Sequence, residues 1–405
     1  MAVQPHGSPN EQVLDALLGA AAVAAVAIAL AWLLRRTGLR HTAVAAGVVT
    51  GIMLGPMVLG PSAPAAFVRW IDGGAEERLA LRDAQRLVQA RRAAMLHAGQ
   101  PPTASDPAAS VELDAVERCS VALTQARIDF AAPRRWIVLG LAALAILGAM
   151  ADPGPRQSLW QPTAFAKGAW LAAVPMSATL LCLAFLEVER GTAIAFALAA
   201  CTGCAAVAAG TDRALVHREE TAAPLAQAAR FATLLALVPL VIGVGVAAHG
   251  AFDAQRASWV AVAACLVGLF VHGTGARWLH RTSEVAIVPA LSALLIVSID
   301  LRTQAHWITT ALVALGASDG RWLGAWIGAR SSGALDGGSP SRTALAAQGA
   351  TVAQLGFAGI LASTTTVPAW GIVMLVLGAL YLDITGTLRF AAAGSLRAAD
   401  DDVRG

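Results

Sequence analysis

The sequence predicts an all-α membrane protein that crosses the bilayer many times. Of its 405 residues, 57% are hydrophobic and only 14% are charged. Uncharged runs of about twenty residues recur along the chain, which is the length that a helix needs to cross a bilayer. Because the hydrocarbon core offers no water to backbone groups, spans are helices or closed barrels, and long continuous runs fit helices. We therefore expect about eleven transmembrane helices.

The apolar runs place these helices along the chain. The first run stays in the predicted protein, because it is too long for the core of a signal peptide and ends at Arg35 and Arg36 instead of a cleavage site. The predicted helices cover residues 11–34, 42–60, 136–152, 164–186, 191–211, 225–248, 256–276, 283–299, 305–328, 342–363 and 367–388.

The arginines predict the orientation of the helices. Basic residues are concentrated in every second connection, and the short connections between these carry single basic residues such as Arg190. Because connections rich in Lys and Arg remain in the cytoplasm, we expect an N-terminus outside and a cytoplasmic C-terminus. The expected location is a bacterial inner (plasma) membrane. The basic connections contain Arg35, Arg36 and Arg40; Arg156 and Lys167; Arg213 and Arg218; Arg277 and Arg281; Arg330 and Arg342; and Arg389 and Arg397.

One segment, residues 69–135, is rich in charges of both signs. Two helical patterns lie in it, separated by a stretch that contains Pro101, Pro102 and Pro107. We expect an extramembrane helical hairpin on the outer side, whose charges form a solvated face, with partner docking as the alternative. The predicted organisation is 1–68 for the first two membrane helices, 69–135 for the hairpin, 136–248 for the rest of the first repeat, 249–390 for the second repeat and 391–405 for a cytoplasmic tail.

The second predicted helix carries a glycine pattern that is specific enough to compare with known families. It reads T-A-V-A-A-G-V-V-T-G-I-M-L-G-P-M-V-L-G-P and contains Gly47, Gly51 and Gly55. This resembles the second helix of the monovalent cation:proton antiporter-2 family, the Kef-type and related sodium or potassium exchangers. Small residues four apart allow close packing in any bundle, so the L-G-P-x-x-L-G ending is the more specific part of the match.

Further stretches resemble the same family in the same order along the chain. Residues 148–152 resemble the end of the third helix of the family, and residues 297–303 resemble its counterpart in the second repeat. G-R-W-L-G-A-W-I-G-A-R, within residues 316–330, resembles G-K-x-x-G-A-x-x-G-A-R, which places Arg321 at the basic position beside the family's ion site. Residues 352–358 resemble the pattern of the last core helices.

The resemblance implies a fold of two inverted repeats, in which two interrupted helices cross near the middle of the membrane. The ends of such half-helices and the unwound backbone can contact an ion. Residues 200–205, with Thr202 and Gly203, and residues 348–356, with Gln354, are at the corresponding places. Ordinary helix packing is the alternative role for Thr202 and Gly203.

The carboxylate that such an exchanger uses is absent from its expected place. Family members carry it in the sixth helix, where one carboxylate binds the cation and the proton in turn. Here the matching residues 230–236 contain Thr233 but no Asp or Glu. Asp319 and Arg321 lie instead in the middle of an apolar run, where charge is costly and usually functional. At i and i+2 they do not share a helix face.

Three functions follow from these observations. The first is a secondary transporter that exchanges Na+ or K+ for protons, with Asp319 as a relocated carboxylate and Arg321 as its counter-charge. The second is a channel-like cation pathway lined by neutral oxygens of Thr202, Thr233 and Gln354. The third is a non-transporting membrane subunit or sensor whose outer hairpin binds a partner. For Asp319 and Arg321 themselves, the alternative to a functional role is a structural polar pair that stabilises the bundle.

Other classes of function have no support in the sequence. Motifs of soluble enzymes and the clustered basic residues of nucleic-acid-binding proteins are absent. Cys201 and Cys204 have the spacing of a metal or redox pair, but no second pair or His cluster accompanies them. We therefore expect no enzyme, metal site or cofactor. The expected partners are a monovalent cation, protons and the bilayer, and a second copy in a homodimer is compatible with this reading.

Overall fold

The fold is helical throughout the residues that the structure describes. The computed structural model describes residues 9–37, 42–97, 107–151, 162–186, 234, 252–304, 307–331, 352–364, 368–381 and 383–385. Every regular element in these residues is a helix, which confirms the prediction of an all-α protein. Four of the described helices are long and apolar enough to cross a membrane: Glu11–Arg36, Ala43–Ser62, Val111–Met150 and Gly273–Ile296.

The main helices follow the apolar runs of the sequence. They are α1 (Pro9–Arg36), α2 (Ala43–Leu54), α3 (Ala75–His97), α4 (Pro107–Met150), α5 (Pro162–Phe185), α6 (Phe252–Phe270), α7 (Gly273–Thr282), α8 (Val288–Ile296), α9 (Trp307–Ser331), α10 (Val352–Ser363) and α11 (residues 369–381). Short helices cover Leu59–Ser62, Pro64–Phe67 and Leu301–Gln304, and π-helical turns cover Val68–Asp72 and Ser283–Ile287. The predicted spans 191–211 and 225–248 lie outside the described residues except for Leu234.

The second arm of the predicted hairpin and the third predicted membrane helix are one continuous helix. The sequence placed a boundary at residue 135, but α4 runs from Pro107 to Met150 without interruption, through Pro133. The boundary was predicted from the change from charged to apolar residues. Such a change shows where a helix enters a different environment, but it does not show that the helix ends. At 1.5 Å per residue, α4 is about 65 Å long, roughly twice the thickness of the hydrocarbon core.

The predicted connection around Arg277 and Arg281 is also helical. The chain turns earlier, after α6 ends at Phe270, where Gly273 has a φ of +64° that favours glycine. From Gly273 the chain is helical through the π turn to the end of α8 at Ile296. Arg277 and Arg281 therefore lie on α7, at the beginning of a candidate membrane span.

Ion pairs tie both ends of α1 to the two π-helical turns. Near its beginning, Asp15 Oδ2 lies 3.3 Å from Arg69 Nε. Near its end, Arg35 Nη2 lies 3.4 Å from Glu284 Oε2. The two α1 residues are twenty positions apart, which is about 30 Å of helix and matches the thickness of a bilayer core. The base of the hairpin thus lies beside the first turns of α1, at the end opposite to Arg35.

Asp72 holds the hairpin to the membrane helices. Its Oδ2 atom accepts hydrogen bonds from the side chain of Arg78 on α3 and from Arg127 on α4, at 2.9 Å from Nη2 and 3.1 Å from Nε. Next to it, Arg134 donates from Nη1 to the carbonyl oxygen of Ile71 at 3.0 Å. Burial lowers the pKa of Arg78, and the neighbouring Asp72 carboxylate opposes that shift. One carboxylate therefore links both arms of the hairpin to the chain that precedes them.

Replacing this carboxylate is expected to loosen the hairpin. In Asp72→Asn the guanidinium groups of Arg78 and Arg127 lose a charged acceptor, which costs about 1 to 3 kcal/mol of local stability. Solvent screening at the partly exposed Arg127 reduces this cost. Hydrogen exchange of the amides in α3 should become faster, while that of α8 stays unchanged. Asp83→Asn is the matched control, because Asp83 and its partner Arg86 are both largely exposed. Equal exchange in the two variants would contradict this role.

Three helices form the centre of the described bundle. Each residue of α8 is buried, as are most residues of α10 and α11. A helix that is apolar on all sides is surrounded by other helices, and here α2, α4 and α6 contact this group. Glycines allow the close approach: an added Cβ at Gly47 or Gly51 of α2 would lie 2.5 Å from Pro289 O or 2.9 Å from Ile296 Cβ.

Candidate functional site

The stretch from Gly316 to Arg330 forms a packing seam on one side of α9. A Cβ added at Gly320 would lie 2.7 Å from Pro175 Cα of α5, and one at Gly324 would lie 2.5 Å from the carbonyl oxygen of Trp170. Glycines four residues apart let two backbones approach closely inside a membrane. The pattern that resembles the family's ion-site helix therefore serves here to join α9 to α5.

Asp319 lies on the other side of the same helix. It is exposed, together with Leu312, Leu315 and Leu323, which are three or four residues apart along α9. The side chain of Arg321 lies outside the described residues, as do Thr202, Gly203 and Thr233. Within the described part of the chain, Asp319 is therefore separated from the interior of the bundle.

Gln354 is the predicted site residue that the structure places in the interior. Its side chain is 2% exposed, and its Nε2 donates a hydrogen bond of 2.9 Å to the carbonyl oxygen of Leu375 on α11. A Cβ added at Gly378 would lie 3.4 Å from Gln354 Nε2 and 4.0 Å from Ala314 Cβ. Helices α9, α10 and α11 therefore meet around the Gln354 amide.

Asp383 is a second interior polar residue, and the sequence analysis did not single it out. It is 7% exposed, and no other Asp, Glu, Lys or Arg whose side chain the structure describes is buried to this degree. It lies two turns beyond Leu375 on the same side, since residues 375, 379 and 383 are four apart and Ala379 is buried. Its place inside the predicted span 367–388 is the signal that could have found it.

Two threonine hydroxyls add neutral oxygens to this interior. Thr310 on α9 and Thr179 on α5 are buried, and their Oγ1 atoms have no hydrogen-bond partner among the described residues. Thr310 precedes Ala314 by one turn and so lies on the side of α9 that faces Gly378. Buried hydroxyls are normally hydrogen-bonded, so each such oxygen is a place for water or a small cation.

The oxygen-bearing side chains of this interior lie at two levels, because Asp383 is eight residues, or about 12 Å of helix, beyond Leu375, whose carbonyl oxygen accepts the hydrogen bond from Gln354. Asp383 supplies one negative charge, and the Gln354 amide and the Thr310 hydroxyl supply neutral oxygens on neighbouring helices. Oxygen ligands of this kind suit hard cations. In the residues that the structure describes, no three His, Cys, Asp or Glu side chains are grouped to hold a metal ion.

Comparison of the chain with protein-family models and with curated proteins gives no match. The resemblance to cation:proton antiporters therefore rests on the motifs of the sequence. The interior site, in contrast, rests on burial and position within the bundle.

Proposed function

We propose that this protein is a secondary transporter that exchanges a monovalent cation for protons across the membrane in which it lies. The observation that carries the proposal is the burial of Asp383 among membrane helices. A carboxylate buried among apolar helices is costly and is usually kept for ion or proton binding. Exchange then follows from competition, since a charged carboxylate binds the cation and a protonated one releases it.

The proposal places the exchange carboxylate at Asp383 instead of Asp319. Asp319 lies on an exposed side of α9, away from Gln354 and Thr310. Asp383 lies on the buried side of the helical segment that carries Leu375, whose carbonyl oxygen accepts the hydrogen bond from Gln354. The neutral oxygens of Gln354 and Thr310 line the path by which a cation approaches, in keeping with the predicted role of Gln354.

The proposed orientation is an N-terminus outside and a cytoplasmic C-terminus. Contact between Asp15 and Arg69 puts the hairpin base on the side where α1 begins, and Arg35 and Arg36 lie at the other end. Because basic residues remain in the cytoplasm, the hairpin projects outward from the membrane.

Proteoliposomes with an imposed pH gradient test the function. Added Na+, K+ or Li+ should collapse the gradient in vesicles that contain the protein, and protein-free vesicles under the same conditions are the control. Persistence of the gradient with all three cations would show that the protein is not an exchanger. Movement of charge with the cation but without protons would instead assign a channel-like pathway.

One observation favours a second function, in which the hairpin binds a partner. Its outer surface exposes apolar side chains in addition to charges, among them Leu79 and Leu87 of α3 and Val121 and Ile128 of α4. Exposed apolar residues on an extramembrane segment are typical of interaction sites when they form a contiguous patch. Partner binding by the hairpin becomes the preferred function if the vesicles show no cation-driven movement of protons or charge.

A further inference from the structure

The end of α1 lies beside the π turn that continues α7, although the two segments are about 240 residues apart in the sequence. The pair between Arg35 Nη2 and Glu284 Oε2, 3.4 Å long, joins the last turn of α1 to the π turn that follows α7. Contacts between α1 and this π turn surround the pair. Arg281 and Arg277 lie one and two turns before Glu284 on the same continuous helix, three and seven residues away, so they share its side and lie beyond the end of α1.

Helix α7 has an inner and an outer side. Its inner side packs Ala276 and Leu279 against Ala151, which follows the end of α4. Its outer side exposes Arg277, Trp278 and Arg281, and Trp278 is 68% exposed. Arginine and tryptophan on the exposed side of a helix at the beginning of a membrane span are typical of the membrane interface, where the indole lies at the level of the headgroups.

The end of α1 presents the same two residue types. Trp32 is 49% exposed, and the guanidinium carbon of Arg36 lies 3.7 Å from the centre of its ring. This stacking holds Arg36 over an apolar plane and leaves its N–H groups directed outward for other acceptors. The basic-aromatic surface formed by Trp32, Arg35, Arg36, Arg277, Trp278 and Arg281 has four positive charges, against one negative charge on Glu284, or a net charge of +3.

We propose that this basic-aromatic surface binds the headgroups of anionic phospholipids. A guanidinium group matches a phosphate with two parallel hydrogen bonds, and Arg36, Arg277 and Arg281 are exposed to make them. The two tryptophans fix the depth, since they place the arginines at the level of the lipid phosphates. Basic pockets between membrane helices on the cytoplasmic side bind lipid headgroups by the same chemistry. Two exposed indoles beside a membrane span favour a lipid over a soluble anionic partner, because indoles are enriched at the membrane interface.

The test measures lipid binding to the full chain by native mass spectrometry in a neutral detergent. Phosphatidylglycerol is titrated into wild type and into the triple variant Arg36→Gln, Arg277→Gln and Arg281→Gln; Arg35 is kept so that its pair with Glu284 remains. The variant is expected to bind phosphatidylglycerol at least about tenfold more weakly. Binding of phosphatidylcholine, which has no net charge, should be the same in both proteins.

The matched control is Arg82→Gln, Arg86→Gln and Arg92→Gln, which removes three exposed arginines from α3 at the other end of the bundle. This control should bind phosphatidylglycerol as wild type does. Equal losses in both triple variants, no loss in either, or displacement of the lipid by an equal concentration of inorganic phosphate would overturn the proposal. If the first triple variant unfolds early, the single variants Arg277→Gln and Arg281→Gln decide by the same titration.

Discussion

Asp383→Asn is expected to reduce cation-driven proton movement to the level of protein-free vesicles. Asparagine keeps the size and most of the hydrogen bonds of the side chain, but it cannot alternate between a charged and a neutral form. An exchanger that depends on one carboxylate therefore loses coupling completely. The measurement is the rate at which Na+, K+ or Li+ collapses a pH gradient in proteoliposomes, with protein content and thermal stability matched to wild type.

Asp319→Asn is the matched control for this experiment. It makes the same chemical change on the exposed side of α9, so the rate should stay within about twofold of wild type, since the site remains intact. The opposite result, with transport lost in Asp319→Asn and kept in Asp383→Asn, would return the exchange carboxylate to the residue that the sequence indicated. Loss in both would indicate that the two carboxylates act on one pathway.

Gly47→Ala is expected to lower the thermal stability of the protein. A Cβ at this position would lie 2.5 Å from the carbonyl oxygen of Pro289, 2.6 Å from Ser292 Cβ and 3.1 Å from Ala293 N. Two of these atoms belong to the backbone of α8, which cannot move without disturbing the buried helices at the centre. Overpacking of this kind costs about 1 to 3 kcal/mol. Thermal unfolding in detergent, followed by circular dichroism, measures it.

Gly140→Ala is the control for the glycine experiment. Gly140 lies on α4 with nothing within 4 Å of an added Cβ, so the substitution adds no clash and alanine is the better helix former. Its melting temperature should equal or exceed that of wild type. If Gly47→Ala has the same melting temperature as Gly140→Ala, the close approach of α2 to α8 does not contribute to stability.

The sequence predicted the helical class and most of the described helices because long apolar runs leave few alternatives in a membrane. It did not predict which side of a helix faces inward. Helix α9 is apolar nearly all round, so periodicity could not distinguish the side of Asp319 from that of Gly320, and charge in an apolar run was interpreted as interior. The packing of Gly320 on Pro175 decides the orientation, and that contact joins segments about 145 residues apart.

The burial of Asp383 is a second feature that the sequence did not predict. Near the end of an apolar run a carboxylate usually reaches water, so the position of Asp383 in the sequence does not by itself indicate burial. Burial at this position depends on how the last helix is covered by others, which only the assembled bundle shows. Gln354 is buried in α10, but its predicted role in an ion pathway stays a prediction, as do those of Thr202, Gly203 and Thr233, which lie outside the described residues.

Because α4 is continuous, it connects the hairpin directly to the interior of the bundle. Its outer half carries the second arm of the hairpin, and its inner half packs against α10, which holds Gln354. A tilt of about 5° over a half-length of roughly 33 Å moves the far end by roughly 3 Å. Pro133 removes one backbone hydrogen bond within α4, while the next residue, Arg134, donates a side-chain hydrogen bond to the carbonyl oxygen of Ile71. Movement of the hairpin is therefore expected either to bend α4 at Pro133 or to displace α10, the helix that carries Gln354.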